Sequence, residues 1–413
     1  MAPAPSISII IPTYNRSRLL IRALDAIRRE SLPAEKLEVI ISDDGSSDGT
    51  EALVKSFAAD YRIKYHYQED RGFRAAAARN AGAELAEGDV LLFLDAGQLP
   101  GPRLAESHLS SHASLSGMHG ALIGPMYGYF PDSRAFPEDD EHLSAEDILG
   151  LIRKETDPRY EYFAGIGFDL GRSPLPLLFF WTGNCSVGTD DFWNAGGFNE
   201  SFQEWGIEDT DLAYRLWERG ATFALCQDGW AIELPRPRDK DAELRSMARN
   251  IERYLQDGSS VTPARELLAL LVDVSTDIPQ VFEAFDVFLE LQGHYRALTE
   301  WQAQAEDINV LAEVQDFCRA APPGARIAIL GVGGSIPESM PGAALFDFDR
   351  KFSRTRVSGH EVCHRLGLRT GLTENSVDSL LITSRLRGIW ERLGDPIMAE
   401  ATRVAGDVHR AWH

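Results

Sequence analysis

The chain has 413 residues, of which 44% are hydrophobic and 25% charged, and a formal net charge of −22. It is longer than one typical domain and has ample apolar material for a large core. No basic run or aromatic-interleaved basic stripe is present to neutralise a phosphate backbone, which argues against nucleic acid as a partner, and the acidity argues against a polybasic membrane anchor.

No run of about 18 apolar residues is present, so no transmembrane helix is expected. The apolar N-terminus lacks a basic leader and a small-residue cleavage site, and is expected as a first strand rather than a signal peptide. Cys185, Cys226, Cys318 and Cys363 lie far apart and form no C-x-x-C pair. Free thiols in a reducing cytoplasm are the simplest account.

In chain order, Ser6–Ile11 is a β-branched run expected to stop at Pro12. Arg18–Glu30 places Leu20, Ala23, Leu24 and Ile27 on one helical face. Leu37–Ser42 is a second strand. Asp48–Ala59 is a helix, with Asp48 and Glu51 in capping-box position. A strand over Ile63–Tyr67, a helix over Ala75–Ala86 and an apolar strand over Asp89–Leu94 follow. This alternation predicts an α/β fold with a mainly parallel sheet covered on both faces. Such sheets bind ligands at the carboxyl ends of their strands. Thr13-Tyr14-Asn15, Asp43-Asp44-Gly45 and Asp95 all fall at such ends.

Residues 125–175, rich in Pro, Gly and acids and carrying Tyr127, Tyr129, Phe130 and Phe136, form a long excursion with a short helix near Ser144–Lys154. It is either a lid or acceptor wall, or a surface insertion. Pro235-Arg236-Pro237-Arg238 ends the pattern. Helices are expected over Asp241–Gln256, Pro263–Val274, Ile278–Leu291 and Leu298–Arg319. Strands follow over Ala325–Leu330 and Ala344–Phe348, then two weaker ones, and a closing helix over Thr402–Trp412. The expected domains are a catalytic domain over 1–240, a helical linker region over 241–320 and a small α/β domain over 321–413.

Three constellations carry chemistry. Asp43-Asp44-Gly45-Ser46-Ser47-Asp48-Gly49-Thr50 follows a strand, and its carboxylates can accept hydrogen bonds from a base or ribose, although Asp and Gly are also common turn residues. Asp95-Ala96-Gly97 ends a buried strand, where a carboxylate must be exposed or paired and can serve a magnesium or manganese diphosphate site. Trp205-Gly206-Ile207-Glu208-Asp209-Thr210-Asp211 opens a helix with three acids. The helix dipole favours one of them as a cap; three exceed that need and offer a rigid general base.

Together with Ile9 to Arg16, Arg71-Gly72-Phe73-Arg74, Ala77 to Gly82, Gly88-Asp89 and Thr182-Gly183-Asn184, these segments resemble the inverting family-2 glycosyltransferases of the GT-A fold. The last acidic stretch is particularly similar to chondroitin-polymerase and β-1,4-galactosyltransferase relatives. The resemblance covers about residues 5–235. It implies sugar transfer from a nucleotide sugar, typically a UDP-sugar, to an acceptor hydroxyl with inversion. The acceptor is a glycan, a peptide or a small molecule. Pro12, Thr13, Tyr14 and Asn15 would line the nucleotide pocket, and Asp44, with Asp43, would bond the base. Arg79 would lie near the nucleotide or diphosphate, and Asp95 would face the ribose and the metal. Asp209 would be the base, and Glu208 and Asp211 would bind hydroxyls. Gly183, Asn184 and Trp205 would shape the sugar and acceptor pocket.

The sequence departs from this family at Gly97, where a second Asp is usual, and in Ala231 to Arg236, where a His ligand is usual. Use of a divalent metal, manganese or magnesium, at Asp95 is therefore open, with Arg236 or Arg238 as alternative fixed cations. A non-catalytic nucleotide-sugar or glycan-binding protein of the same fold is the alternative function. A nucleotidyltransferase would carry a glycine- and lysine-rich loop after the first strand, which Pro12 to Asn15 is not. Gly331-Val332-Gly333-Gly334-Ser335 is expected as a turn, with phosphate cradling a lesser possibility. His360, Cys363 and His364 are expected on a helix surface rather than as a metal cluster.

Overall fold

Four isoleucines in the segment Ile7–Thr13 (β1) are fully buried, and their β-branched side chains suit a strand covered on both faces. β1 is central to the first of two units in the computed structural model, which describes residues 6–115, 119–128, 143–152, 157–235, 239–256, 261–271, 286–334, 336–337, 340, 342–353 and 360–412. The units are Met1–Met247 and Ala248–His413. The stretch 241–320, expected as a separate linker region, is thus divided between them.

The first unit continues with helix α1 (Ser17–Ile27), β2 (Leu37–Asp43), α2 (Thr50–Ser56), β3 (Arg62–Tyr67), α3 (Ala75–Leu85), β4 (Val90–Leu94), β5 (Gln98–Pro100), α4 (Leu104–Ser114), β6 (Gly120–Ile123) and β7 (Met126–Tyr127). After α5 (Ala145–Leu151) and α6 (Tyr160–Gly165) come β8 (Asn184–Gly188), α7 (Thr189–Asn194), α8 (Glu208–Glu218), β9 (Thr222–Leu225) and β10 (Ala231–Glu233). The main sheet has the order β3-β2-β1-β4-β8-β6-β9, and a small sheet has the order β5-β10-β7. All pairs in the main sheet are parallel except those of β8, which is antiparallel to β4 and to β6. The sheet is therefore mainly parallel, as the strand–helix alternation requires.

Pro12 does not end β1. The strand runs on to Thr13 beside β2, while pairing with β4 already stops at Ile10↔Phe93. A proline is tolerated there because the β4 side has no ladder left to break. Helix α3 approaches the sheet closely because its inner face is Ala76, Ala83 and Gly82. A Cβ at Gly82 would stand 2.6 Å from Ile10 Cγ2 and 2.7 Å from Ser42 Oγ. That approach brings Arg79 and Asn80 to the carboxyl ends of β1 and β4.

In the excursion, α5 starts with a reciprocal Ser144–Asp147 capping box, as the expected helix near Ser144–Lys154 requires. Tyr129, Phe130 and Phe136 lie outside the described residues, as do Arg236 and Arg238. Tyr127, Phe163, Phe179 and Phe180 are buried, so this part of the excursion carries its own apolar packing.

The second unit has a five-stranded parallel sheet, β11 (Ile327–Leu330), β12 (Ala343–Asp347), β13 (Val362–His364), β14 (Val377–Ile382) and β15 (Ala405–Arg410), in the order β13-β12-β11-β14-β15. Several expectations are corrected here. Leu298–Arg319 is not one helix but parts of two, Asp286–Ala305 and Leu311–Ala320, because the Asn309 side chain accepts the Leu311 N–H (2.9 Å) and starts a new one. Residues 272–285, which hold parts of two expected helices, are outside the described set. The terminal helix, Trp390–Val404, ends at Val404, and residues 405–410 pair with β14. Local pattern could not show this, because that strand is held by a partner about thirty residues away. Cys363 and His364 lie on a strand and not on a helix, with His364 Nε2 3.0 Å from the Phe348 carbonyl.

The Gly331–Gly334 turn sits at the carboxyl end of β11, where the chain order reverses. Its Gly333 N–H donates to Asp347 Oδ2 (2.7 Å), and Arg385 Nε donates to the same oxygen (3.1 Å). Both side chains are fully buried. The turn is thus filled by an internal ion pair rather than left open for a phosphate. Removing one partner of a buried pair strands the other charge, at a cost of about 3–5 kcal/mol. Arg385→Met is expected to lower the urea midpoint accordingly, and Asp347→Asn in the same chain to recover most of the loss. An unchanged midpoint in Arg385→Met would contradict this account.

Candidate active site

The carboxyl ends of β1, β2 and β4 and the start of α8 carry the expected residues. Two clusters form there.

The first is built by loops that lock one another. Asn15 Oδ1 accepts the Ser47 N–H (2.8 Å), the Asn15 N–H donates to Ser46 Oγ (2.8 Å), and the Ser17 N–H donates to Asp48 Oδ2 (2.8 Å). Asn15 adopts φ +51°, a conformation that asparagine tolerates better than most residues. The Tyr14 hydroxyl donates to Asp70 Oδ2 (2.8 Å), and its ring is 46% exposed, which leaves a face for stacking. Pro12 and Thr13 end the strand below it. Gly45, at φ +96°, must be glycine: a Cβ would come within 2.4 Å of the Asp70 backbone.

Asp43 and Asp44 differ in role. Asp43 accepts from the Gly45 and Ser46 N–H groups (3.1 and 2.7 Å) and from the Tyr65 hydroxyl (2.7 Å). These contacts shape the turn. Asp44 accepts from Gln68 Nε2 (2.5 Å), the Arg74 N–H (2.8 Å) and, more weakly, Arg74 Nη2 (3.5 Å). An ionised carboxylate has about four acceptor positions, so Asp44 keeps capacity for a donor on a base.

The second cluster joins Asp95, Arg79, Glu208 and Asp209. Arg79 Nη2 donates to Asp95 Oδ1 (3.0 Å) and Nη1 to Glu208 Oε1 (3.0 Å). Its guanidinium lies 5.5 Å from the centroid of the Phe198 ring. Burial opposes the arginine's charge, but the two carboxylates outweigh it and raise its pKa. Both of its terminal nitrogens are thus engaged by carboxylates. It is a clamp between the end of β4 and the start of α8.

Asp209 is partly exposed. Its Oδ1 accepts the Thr210 N–H (2.7 Å), and Oδ2 makes no hydrogen bond among the described residues. Burial of the carboxylate, then the charge of Glu208, push its pKa up to about 7, against a smaller opposing pull from Arg79. Asp211 sits two residues on, roughly 200° around the helix. It accepts from Arg215 Nε (2.9 Å) and Nη2 (2.6 Å) and is buried. This ion pair links the first turn of α8 to its last.

Asn184 is also fully engaged. Its amide donates to the Pro125 and Gly229 carbonyls (3.0 and 2.8 Å), and its Oδ1 faces His108 Nε2 (3.1 Å). Burial pushes the His108 pKa down to about 3, so the ring is neutral: Nε2–H donates to Asn184, and Nδ1 accepts from Ser186 Oγ (2.7 Å). Asn184 thus fixes the wall rather than facing a ligand. Gly183 is required by close approach, because a Cβ would stand 2.5 Å from Met126 Sδ. Trp205 is half-buried, with its N–H held by Ser246 Oγ (3.0 Å).

Sequence reasoning missed the buried Asp157–Arg159 pair. Arg159 donates to Asp157, to the Phe179 carbonyl (3.0 Å) and to the Gly124 carbonyl (3.0 Å), and its guanidinium lies 4.7 Å from the Trp181 ring centroid. It pins the excursion to the segment leading into β7. Asp157 lies two residues away, but the Phe179 and Gly124 carbonyls that complete the set are distant in sequence and no local pattern marks them.

At Asp95, a divalent ion would find a carboxylate with one oxygen on Arg79 and no side chain at Gly97. Glu233, from the small sheet, lies against the Gln98 amide (3.4 Å). Among the described residues no three His, Cys, Asp or Glu side chains converge as a metal requires. The described donors do not form a closed all-protein metal site; an ion shared with substrate phosphates would need only one or two carboxylates.

The family described as Glycosyl transferase family 2 matches residues 8–159, and the family described as N-terminal domain of galactosyltransferase matches residues 166–236. The chain belongs to glycosyl transferase family 2, and it is a glycosyltransferase with a GT-A domain. Across 98% of its length it is 34% identical to the validoxylamine A glucosyltransferase of Streptomyces hygroscopicus subsp. limoneus, covering 90% of that protein. The validoxylamine A glucosyltransferase of S. hygroscopicus subsp. jinggangensis is also 34% identical, with 98% and 96% covered. Chondroitin synthase of Escherichia coli is 29% identical over 59% of this chain and 37% of its own. No helix among the described residues is long and apolar enough to cross a membrane.

Replacing Arg79 by Met would leave Glu208 buried without its counter-charge. A stability loss of about 3 kcal/mol or more is expected, read as a lower urea midpoint, with partial recovery in Arg79→Met/Glu208→Gln. Equal losses in the single and double variants would show that the pair is not coupled.

Proposed function

We propose that this enzyme transfers glucose from UDP-glucose to a hydroxyl of an acceptor of the validoxylamine kind, with inversion at the anomeric carbon and Asp209 as general base. The observation that carries the mechanism is Asp209 Oδ2: it has no hydrogen bond among the described residues, on a carboxylate whose pKa is pushed up to about 7. A base with a pKa near the working pH accepts a proton most effectively.

In the step, the acceptor oxygen bonds to the anomeric carbon as its proton passes to Asp209 Oδ2. The bond from that carbon to the diphosphate oxygen breaks, and its electron pair leaves with the nucleoside diphosphate. Glu208 keeps one oxygen without a protein partner, which supports a contact with a sugar hydroxyl. Trp205 offers a ring for a sugar face. Asp44 demands a base with a donor edge, which uracil has at its N3–H, and Tyr14 offers a stacking surface.

The glucose donor and the acceptor class are supported by the full-length similarity to the two validoxylamine A glucosyltransferases, against only 59% of the chain for chondroitin synthase. A cytoplasmic setting is supported by four unpaired cysteines.

Asp209→Asn is expected to lower kcat by about 10²–10⁴-fold, the usual share of a general base, with UDP-glucose affinity nearly unchanged. In the wild type, kcat/KM should rise with pH through about 7 and level off above it, because the base works only when deprotonated. A flat profile, or an active Asp209→Asn, would remove Asp209 from this role. Absence of glucose transfer or UDP-glucose hydrolysis by the wild type would count against the donor assignment.

A further inference from the structure

We propose that Gln68 and Asp70, on the loop after β3, are positioning residues for the nucleobase: Gln68 aims the Asp44 carboxylate at the base edge, and Asp70 sets the Tyr14 ring for the base face. This rests on the nucleotide-sugar reading above, with uracil as the base.

The loop over 68–74 is fastened to the strand ends beside it. The Gln68 N–H donates to the Asp43 carbonyl (2.9 Å) and extends the pairing of β2 with β3 by one residue. Its side chain therefore starts from a fixed backbone. Gln68 Nε2 donates to Asp44 Oδ1 (2.5 Å), and the Arg74 N–H donates to Asp44 Oδ2 (2.8 Å). The two ends of one loop thus hold one carboxylate oxygen each, which fixes the plane of the group. An ionised carboxylate only accepts, so the amide nitrogen of Gln68 must face it.

That plane decides which base is accepted. Uracil has a donor at N3, and cytosine has an acceptor there. A carboxylate held in the plane of the base attracts the first and repels the second. One that is free to rotate discriminates less, because rejection needs the unfavourable contact as much as the favourable one.

Asp70 serves the other contact. Its Oδ2 accepts the Tyr14 hydroxyl (2.8 Å), and its Oδ1 accepts the Gly72 N–H (3.0 Å). The Gly72 bond, then the Tyr14 bond, hold the Asp70 carboxyl below its usual range, and the same contact raises the Tyr14 hydroxyl. Asp70 therefore stays an acceptor and Tyr14 a donor. The Asp70 backbone is itself seated against Gly45, where a Cβ would clash. A ring tethered at its hydroxyl has fewer orientations to lose on stacking, and stacking is tolerant of base identity. The two residues should therefore fail in different ways when removed.

The test is calorimetric titration of the full-length protein with UDP and with CDP, manganese present throughout. The two ligands share ribose and diphosphate, so their affinity ratio isolates the base. The wild type should prefer UDP. Gln68→Leu should weaken UDP by about 5-fold or more, the size of a lost hydrogen bond, with CDP little changed. The preference then shrinks, and the retained CDP binding shows an intact pocket. Asp70→Ala should weaken UDP and CDP alike by roughly 3–10-fold, part of the worth of a stacked base. Tyr14→Phe should reproduce that loss, and the double variant should add nothing to it. In turnover, Gln68→Leu should raise KM for UDP-glucose far more than it lowers kcat. An unchanged UDP preference in Gln68→Leu, or a loss shared equally by UDP and CDP, would overturn the assignment of Gln68. Additive losses in Asp70→Ala/Tyr14→Phe would overturn that of Asp70. Both results leave the nucleotide-sugar reading standing. A wild type that bound UDP and CDP equally would remove uracil recognition by Asp44 and this proposal with it. One that bound neither would remove the nucleotide-sugar reading itself.

Discussion

The crevice depends on one buried guanidinium. Arg79 joins Asp95 and Glu208, 16 residues and 129 residues away along the chain, and so ties the end of the central sheet to the start of α8. Three carboxylates cannot share a poorly solvated crevice unless a cation offsets them. Arg79 supplies that offset, and it reaches the crevice only because alanines and Gly82 let α3 lie close to the sheet. A small-residue helix face, an electrostatic clamp and a pair of neighbouring acids are thus one arrangement.

Hydrogen-bond saturation then separates scaffold from chemistry. Asn184 has its amide taken by backbone carbonyls and His108, Asp43 accepts from two turn N–H groups and Tyr65, and Asp211 Oδ2 accepts from Arg215. Asp44, Glu208 and Asp209 each retain an acceptor. The two sets alternate in sequence: Asp43 beside Asp44, and Asp211 two residues from Asp209. The saturated member holds the backbone so that the unsaturated one is fixed in place. His108 extends this logic outward, because its neutral ring orients the amide that closes the wall behind Gly183.

This division explains what the sequence could reveal. The alternating strands and helices of the first unit were legible because apolar periodicity is local: β1 to β4 fall within a few residues of their expected bounds. Which of two adjacent acids faces the crevice was not legible, since it depends on Tyr65, Gln68 and Arg215 arriving from elsewhere. The same holds for Arg159, whose partners are distant carbonyls, and for the strand over 405–410, which is specified by pairing with β14 rather than by its own pattern.

The entry to α8 shows how the acids are aimed. The helix begins without a side-chain cap, and the residue before it, Ile207, adopts φ +81° after Gly206 at φ +92°. A β-branched residue in that region costs of order 1–3 kcal/mol and persists only where its surroundings fix it. They do so here. Ser246 Oγ accepts the Trp205 N–H and donates to Glu204, Met247 packs on Gly206, and Asn80 clamps Phe198 and Glu200 just upstream. The strained turn sets the first helical residues so that Glu208 meets Arg79, while Asp209, about 100° further round, presents Oδ2 to the crevice. An ordinary capped start would use an acid to satisfy the helix's own N–H groups. This one has no side-chain cap from the preceding residue, spends only Asp209 Oδ1 on the Thr210 N–H, and keeps the carboxylates near the positive end of the helix dipole.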